Sequence, residues 1–149
     1  MDATEARRRF STATVARMAT VGAGSHQPVP HLVPIVFALI GESTVVTAID
    51  HKQKRTLALR RLKNIAENPA VSLLADEYRD DWDALWWARA DGRARLLAPG
   101  QEPALRAQAI DALVLRYAQY ARRRPSGVLI VVDVQRWTGW SALPQANVF

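Results

Sequence analysis

The chain has 149 residues, 49% of them hydrophobic, and a formal net charge of +6. That length and apolar content suit one domain with its own core, and the basic excess favours an anionic partner: a nucleotide, a phosphate, a polycarboxylate or a nucleic acid. No apolar run approaches the ~20 residues of a membrane span, the start "MDATEARRRF" has no apolar signal core, and the lack of cysteine excludes disulfides and thiol chemistry, so a single cytoplasmic domain over residues 1–149 is expected.

Asp2 to Ser11 has the spacing of a short amphipathic helix, with Ala3, Ala6 and Phe10 on one side and Arg7, Arg8 and Arg9 on the wet side. Thr14 to Val21 reads as a strand, and Gly22 to Pro28 as a loop. From Pro30 to Ile40 both alternating faces are largely apolar, which predicts one central strand; Pro34 removes a ladder donor and implies a bulge or an edge at that point. Gly41-Glu42 turns the chain, and Ser43 to Asp50 returns it as a third strand.

Thr56 to Glu67 has helical spacing, with Leu59, Leu62, Ile65 and Ala66 on its apolar side, and Asn68-Pro69 ends it. Ala70 to Tyr78 is a fourth strand, followed by a loop at "YRDDWD". Ala84 to Leu97 alternates cleanly: Trp86, Ala88, Ala90, Gly92, Ala94 and Leu96 share one face, Trp87, Arg89, Asp91, Arg93 and Arg95 the other. A helix enters at Pro103, carries an apolar stripe of Leu105, Ala109, Ile110, Leu113, Val114 and Tyr117, and stops at "ARRRP". Gly127 to Trp140 is a last, buried strand, and the tail is irregular. Six strands in adjacent hairpins, flanked by three helices, predict an antiparallel sheet able to close into a small barrel.

Of the 20 basic residues 17 are Arg, so a lone Arg carries little information; the three Lys are Lys52, Lys54 and Lys63, all within twelve residues. Between Asp50 and Pro69 the cations Lys52, Lys54, Arg55, Arg60, Arg61 and Lys63 admit three readings: a solvated helix face, a nucleic-acid surface, or a phosphate site. A phosphate needs converging donors; Arg gives a planar fork, Lys a point charge, and a helix N-terminus free N–H groups. Lys52, Lys54, Arg55 and Thr56 sit where a strand hands over to a helix. A nucleic-acid surface would want an unbroken basic stripe, and the acids in "EYRDDWD" and "RADGR" interrupt it.

The remaining motifs carry less. His26, His31 and His51 have no metal-ligand spacing; His51 could neighbour a coenzyme, and His31 reads as structural. "GAG" at 22–24 is not followed by a helix and is no dinucleotide fingerprint. No Ser-His-Asp set is recognisable. Alternation puts Trp86 and Trp87 on opposite faces, so one of them, Trp87, is the candidate for a groove wall; Trp137 and Trp140 read as packing residues, with Trp140 a second wall candidate.

Taken together, "ATV" after the first helix, "PHLVPIVFAL", "LKNIAENPAVSLL", "DWDALWWARADGRA" and "VDVQRWTGW" resemble, from about residue 12 to 142, the pyridoxamine 5′-phosphate oxidase-like family, and within it the branch that binds the deazaflavin coenzyme F420. The resemblance implies a mainly β fold with flanking helices: a six-stranded antiparallel split β-barrel of the FMN-binding kind. It also implies a homodimer with the coenzyme in a groove between protomers. The ring would rest against the second and third strands, where Pro34, Ile35, Thr47 and Ile49 become candidate contacts. Basic residues after the third strand would hold the phosphate: Lys52, Lys54, Arg55, Arg61 and Lys63. The family pattern of a basic pair followed by a Lys falls on Arg60, Arg61 and Lys63, with Lys52, Lys54 and Arg55 on an extra segment before it. Trp87 would line the groove. The expected function is F420-dependent hydride transfer to a small-molecule acceptor; FMN in the same phosphate site, or a non-enzymatic carrier, are the alternatives. No catalytic side chain, metal, nucleic acid or membrane enters this reading.

Overall fold

The computed structural model describes residues 1–23, 28–49 and 55–143, the side chains of 55–59 excepted. Helix α1 (Ala3–Thr12) precedes strands β1 (Ala16–Val21), β2 (Pro30–Ile35), β3 (Ala38–Ile40) and β4 (Thr44–Ala48). Helix α2 (Arg55–Glu67) leads to β5 (Ala70–Glu77), a single 3-10 turn (Trp82–Ala84), β6 (Trp86–Leu97), helices α3 (Pro103–Arg116) and α4 (Ala118–Arg122), and β7 (Leu129–Ser141). No helix of the described residues is long and apolar enough to cross a membrane.

The strands form one antiparallel sheet in the order β2-β1-β5-β6-β7-β4-β3. It therefore has seven strands where the sequence predicts six, because the segment 30–40 is two strands. Nor is it one central strand: β2 and β3 are the two edges. The apolar pattern misleads here because Leu32, 66% exposed, points outward from an uncovered edge. Pro34, which lacks the N–H, lies on that edge, as a proline in a sheet must. Only Val36 and Phe37 separate the two edges in sequence, and that short link curls the sheet into a split barrel. No ladder closes it among the described residues.

The link leaves backbone groups without ladder partners, and side chains satisfy them. Thr47 Oγ1 donates to the Val36 carbonyl at 2.7 Å. The Phe37 N–H donates to the Tyr117 hydroxyl at 3.1 Å. The Phe37 carbonyl accepts from Arg116 at 2.8 Å and from Tyr117 at 2.9 Å. This also explains why α3 ends sooner than its apolar stripe predicts. Tyr117 takes an extended backbone conformation, its hydroxyl reaches the link and the Thr14 carbonyl, and α4 restarts after it.

Two cores hold the sheet. One lies under α1, where Phe10, Met18, Phe37, Leu73 and Ile130 are buried and the Phe10 ring sits 4.8 Å from Phe37 and 5.3 Å from Trp137. The other lies under α3, where Ile110 and Leu113 pack near Val46, Leu97, Leu129 and Val131. The alternation read along β6 is as expected: Ala88, Ala90 and Ala94 are buried, while Arg93 and Arg95 are exposed. Gly92 is required by a bulge, since the register with β7 shifts between Asp91 and Gly92 and a Cβ at 92 would overlap the Asp133 carbonyl oxygen.

Candidate functional site

Helix α2 is where the sequence places its cations, and its inward side differs from the apolar stripe predicted. Arg61, Asn64 and Ile65, three and four residues apart, face the sheet and are buried; Ala66, expected inside, is exposed. The Asn64 amide donates to Thr20 Oγ1 of β1 at 3.1 Å, and Thr20 is buried. Gly22 permits this approach, because a Cβ there would stand 2.8 Å from Asn64 Oδ1. One helical turn on, Glu67 accepts from the Ala23 N–H at 3.2 Å and pairs with Lys63 at 3.9 Å. These contacts fix the C-terminal half of α2 over the end of β1.

Arg61 is the anomaly. It is 3% exposed, its Nε has no hydrogen-bond partner, and no described carboxylate pairs with it. Burial pushes the guanidinium pKa below its usual value. A guanidinium stays protonated in proteins, so this is a buried cation with no described counter-charge. Beside it is His31 of β2. It stands opposite Thr20 in the β1–β2 ladder, so the two side chains share one face. Its Nδ1 is also buried and unpartnered. Burial first, then the charges of Arg60 and Arg61, hold the imidazole below its ordinary pKa.

The outer face of the sheet is the second feature. The ladders place Pro34, Arg17, Leu74, Arg89 and Thr138 in one row across five strands, and Leu32, Ala19, Ser72, Asp91 and Arg136 in the next. Trp87 pairs with Trp140, and the Arg89 guanidinium lies 5.9 Å from the Trp87 ring. A shallow cleft of about 320 Å³ opens there, lined by Leu74, Asp76, Tyr78, Trp87 and Arg89. None of the row residues is fully buried, and no described helix covers this face.

The structure thus brings Pro34 and Trp87 onto one open face and sets Arg61 under α2. Lys63 is exposed and paired with Glu67. Ile35 and Thr47 turn their side chains into the core, and the Thr47 hydroxyl is engaged with Val36. Ile49 is half-buried, with its N–H on the Val128 carbonyl. Lys52, Lys54, His26 and His51 lie outside the described residues, as does the Arg55 side chain. Among the described residues no three His, Asp or Glu gather as a metal site. The sequence reading missed Asn64, Thr20 and the exposure of His31 to Arg61. The available signal was the spacing of Arg61 and Ile65: four residues apart they share a helix face, so burying Ile65 turns Arg61 to the sheet as well.

A family profile described as pyridoxamine 5′-phosphate oxidase matches residues 3–141. The chain belongs to the pyridoxamine 5′-phosphate oxidase family. Solved structures show the family fold at low identity. A FAD-binding protein of Mesorhizobium loti superposes with TM-score 0.66 at 18% identity, covering 93% of this chain and 94% of that one. A conserved hypothetical protein of Mycobacterium tuberculosis gives 0.67 at 21%, covering 100% and 92%. The heme storage protein of Vibrio cholerae gives 0.65 at 19%, covering 93% and 90%. A search of curated proteins finds no match. Membership of the pyridoxamine 5′-phosphate oxidase family accounts for the antiparallel sheet and its flanking helices; these neighbours differ in what their names say they bind, so the ligand must be argued from the residues.

Proposed function

We propose that this chain is a homodimeric oxidoreductase that holds coenzyme F420 in a groove between protomers and serves hydride transfer to a small electrophilic acceptor, such as an activated double bond. One observation carries the reading: Arg61 is a buried cation without a described counter-ion, on the helix to which the family resemblance assigns the phosphate. An anionic ligand oxygen is the natural partner for it. Lys52, Lys54, Arg55 and Lys63 are the further cations of the same segment, and the anionic lactyl-oligoglutamate tail of F420 gives such a surplus a use.

The bound deazaflavin would supply the hydride chemistry through its C5. The work left to the protein is holding, seating and shielding. Arg61 anchors the phosphate. Pro34 and the main chain beside Ile35 and Ile49 offer a wall to the ring, since Ile35 and Thr47 have turned their side chains inward. The uncovered outer face, with Leu32, Leu74, Trp87 and Trp140, is what a second protomer would cover to shut out water. No side-chain acid or base is required of this site, because the coenzyme would supply the hydride chemistry.

A flavin is the second reading, favoured by the FAD-binding proteins of Mesorhizobium loti and Mycobacterium smegmatis, which share the fold; FMN needs the same phosphate site and no cations for a tail. Side-by-side fluorescence titration with F420, FMN and FAD separates them. F420 is expected to bind at about 1 μM or tighter, a free energy near −8 kcal/mol, and more tightly than either flavin. Preference for FMN or FAD moves the assignment to a flavoprotein, and negligible affinity for all three refutes the proposal.

A further inference from the structure

The proposed phosphate site leaves His31 unexplained. It stands opposite Thr20 in the β1–β2 ladder, Thr20 accepts from Asn64 of α2, and the His31 Nδ1 has neither protein partner nor access to solvent. The same holds for Arg61 Nε. Two buried nitrogens, both capable of donating and both unpartnered, sit on elements joined through Thr20 and Asn64, with the Arg61 charge felt at the His31 ring, and an oxyanion is the class of ligand such donors call for. Asn64 does not compete for that place, because its amide is engaged with Thr20.

Without an anion, the ring is kept neutral by its surroundings. Burial disfavours the imidazolium, and Arg60 and Arg61 on α2 repel it. Across the ladder, β1 presents only the uncharged Thr20. Glu67, further along α2, is engaged with Lys63 and the Ala23 N–H. Since β2 is an edge, no described strand flanks its other side to supply a carboxylate. An oxyanion on Arg61 would cancel the repulsion and reward a charged donor at Nδ1.

We propose that His31 is a second ligand of the anion held by Arg61, and that it takes up a proton when the anion binds. The inference rests on the reading of Arg61 as an anion site. It deepens that reading by making occupancy depend on pH and by naming a recognition residue on β2 rather than on the basic segment. The sign follows from linkage. A group whose pKa rises on binding takes up protons, so anion affinity falls as pH rises through the window between the free and bound values, by at most tenfold per pH unit.

Sulfate is the probe, because it does not itself titrate in this range and any proton taken up belongs to the protein. Its binding to the full chain is measured by calorimetry at about pH 6, in two buffers of different ionisation enthalpy. The wild type should take up as much as one proton per sulfate bound. His31→Gln should still bind, more weakly, with that uptake abolished and the pH slope flattened. Unchanged uptake in His31→Gln, or binding without uptake in the wild type, overturns the role of His31 while leaving Arg61 as an anion site. If Arg61→Gln, shown folded by circular dichroism, keeps wild-type sulfate affinity, the anion site itself falls and the inference with it.

Discussion

The link between the two sheet edges offers a sharp test. Tyr117→Phe deletes one oxygen and leaves the ring, with its edge-on contact to Tyr120 at 6.0 Å between centroids, in place. The Phe37 N–H then loses its acceptor at a residue with 0% exposure, where water cannot replace it. An orphaned buried donor costs about 1–3 kcal/mol. The Phe37 carbonyl keeps Arg116, and the Thr14 carbonyl can be rehydrated, so little is added. A net loss of about 2 kcal/mol follows, which for a chain of this length lowers Tm by about 4–8 °C. Thermal unfolding by circular dichroism, at one fixed protein concentration, reads it. Thr47→Val removes the donor to the adjoining Val36 carbonyl, and because both side chains secure the same two residues the double variant should show a coupling of at least about 0.5 kcal/mol. A Tm within about 1 °C of wild type for Tyr117→Phe, or strict additivity with Thr47→Val, would refute the claim that these hydroxyls hold the link.

Other expectations follow from the same contacts. Arg61→Met replaces a buried unpaired cation by an apolar side chain of similar length, so the unliganded protein should be no less stable, while F420 affinity drops at least tenfold; a denaturation series paired with the fluorescence titration checks both halves. Glu5 accepts from Arg8 and Arg9, which hold its pKa at about 2 against an ordinary 4.5. Its folded pKa is depressed, so its contribution is present above pH 4.5 and lost as pH falls towards 2; the urea midpoints of wild type and Glu5→Gln should differ at neutral pH and converge in acid. Leu32→Glu puts a charge at the edge-strand margin of the uncovered outer face, and light scattering should show a dimer in the wild type and a shift towards monomer in the variant, with the fold retained.

Much of this architecture was written in local pattern. The strict alternation of small and charged residues in Trp86–Leu97 could only be a strand with one buried face, and the structure buries that face. The helices announced themselves by spacing and by their stops, Asn68-Pro69 among them. What the sequence could not carry is which neighbour a segment finds. The apolar pattern runs unbroken through 30–40, yet its first half pairs with β1 and its second with β4. Pro34 is the local sign of an edge there, and the structure places it on one; but nothing local distinguishes a Leu that faces a core from one that faces a surface left for a partner, so the apolar pattern alone reads as a central strand. Likewise, the end of α3 is decided by a hydroxyl reaching 80 residues back to Phe37. On α2 the apolarity rule chose Ala66 for the interior, while the geometry of the helix delivered Arg61 and Asn64.

That last failure is informative, because a fold does not bury a guanidinium without reason. Consistency between local pattern and tertiary structure is the rule for a stable chain, and departures collect where function has been placed. Here both large departures meet on one strand. β2 turns His31 towards Arg61 and α2, and turns Leu32 and Pro34 onto the open outer face. As an edge it has a ladder neighbour on one side only among the described strands, which leaves outward backbone groups to pair with a ligand or a second protomer. A central strand, fully paired and covered on both faces, could offer neither. One marginal element thus sets Leu32 and Pro34 on the open face and His31, with its unpartnered Nδ1, on the face towards α2 and Arg61, and the proposed anion site rests on that arrangement.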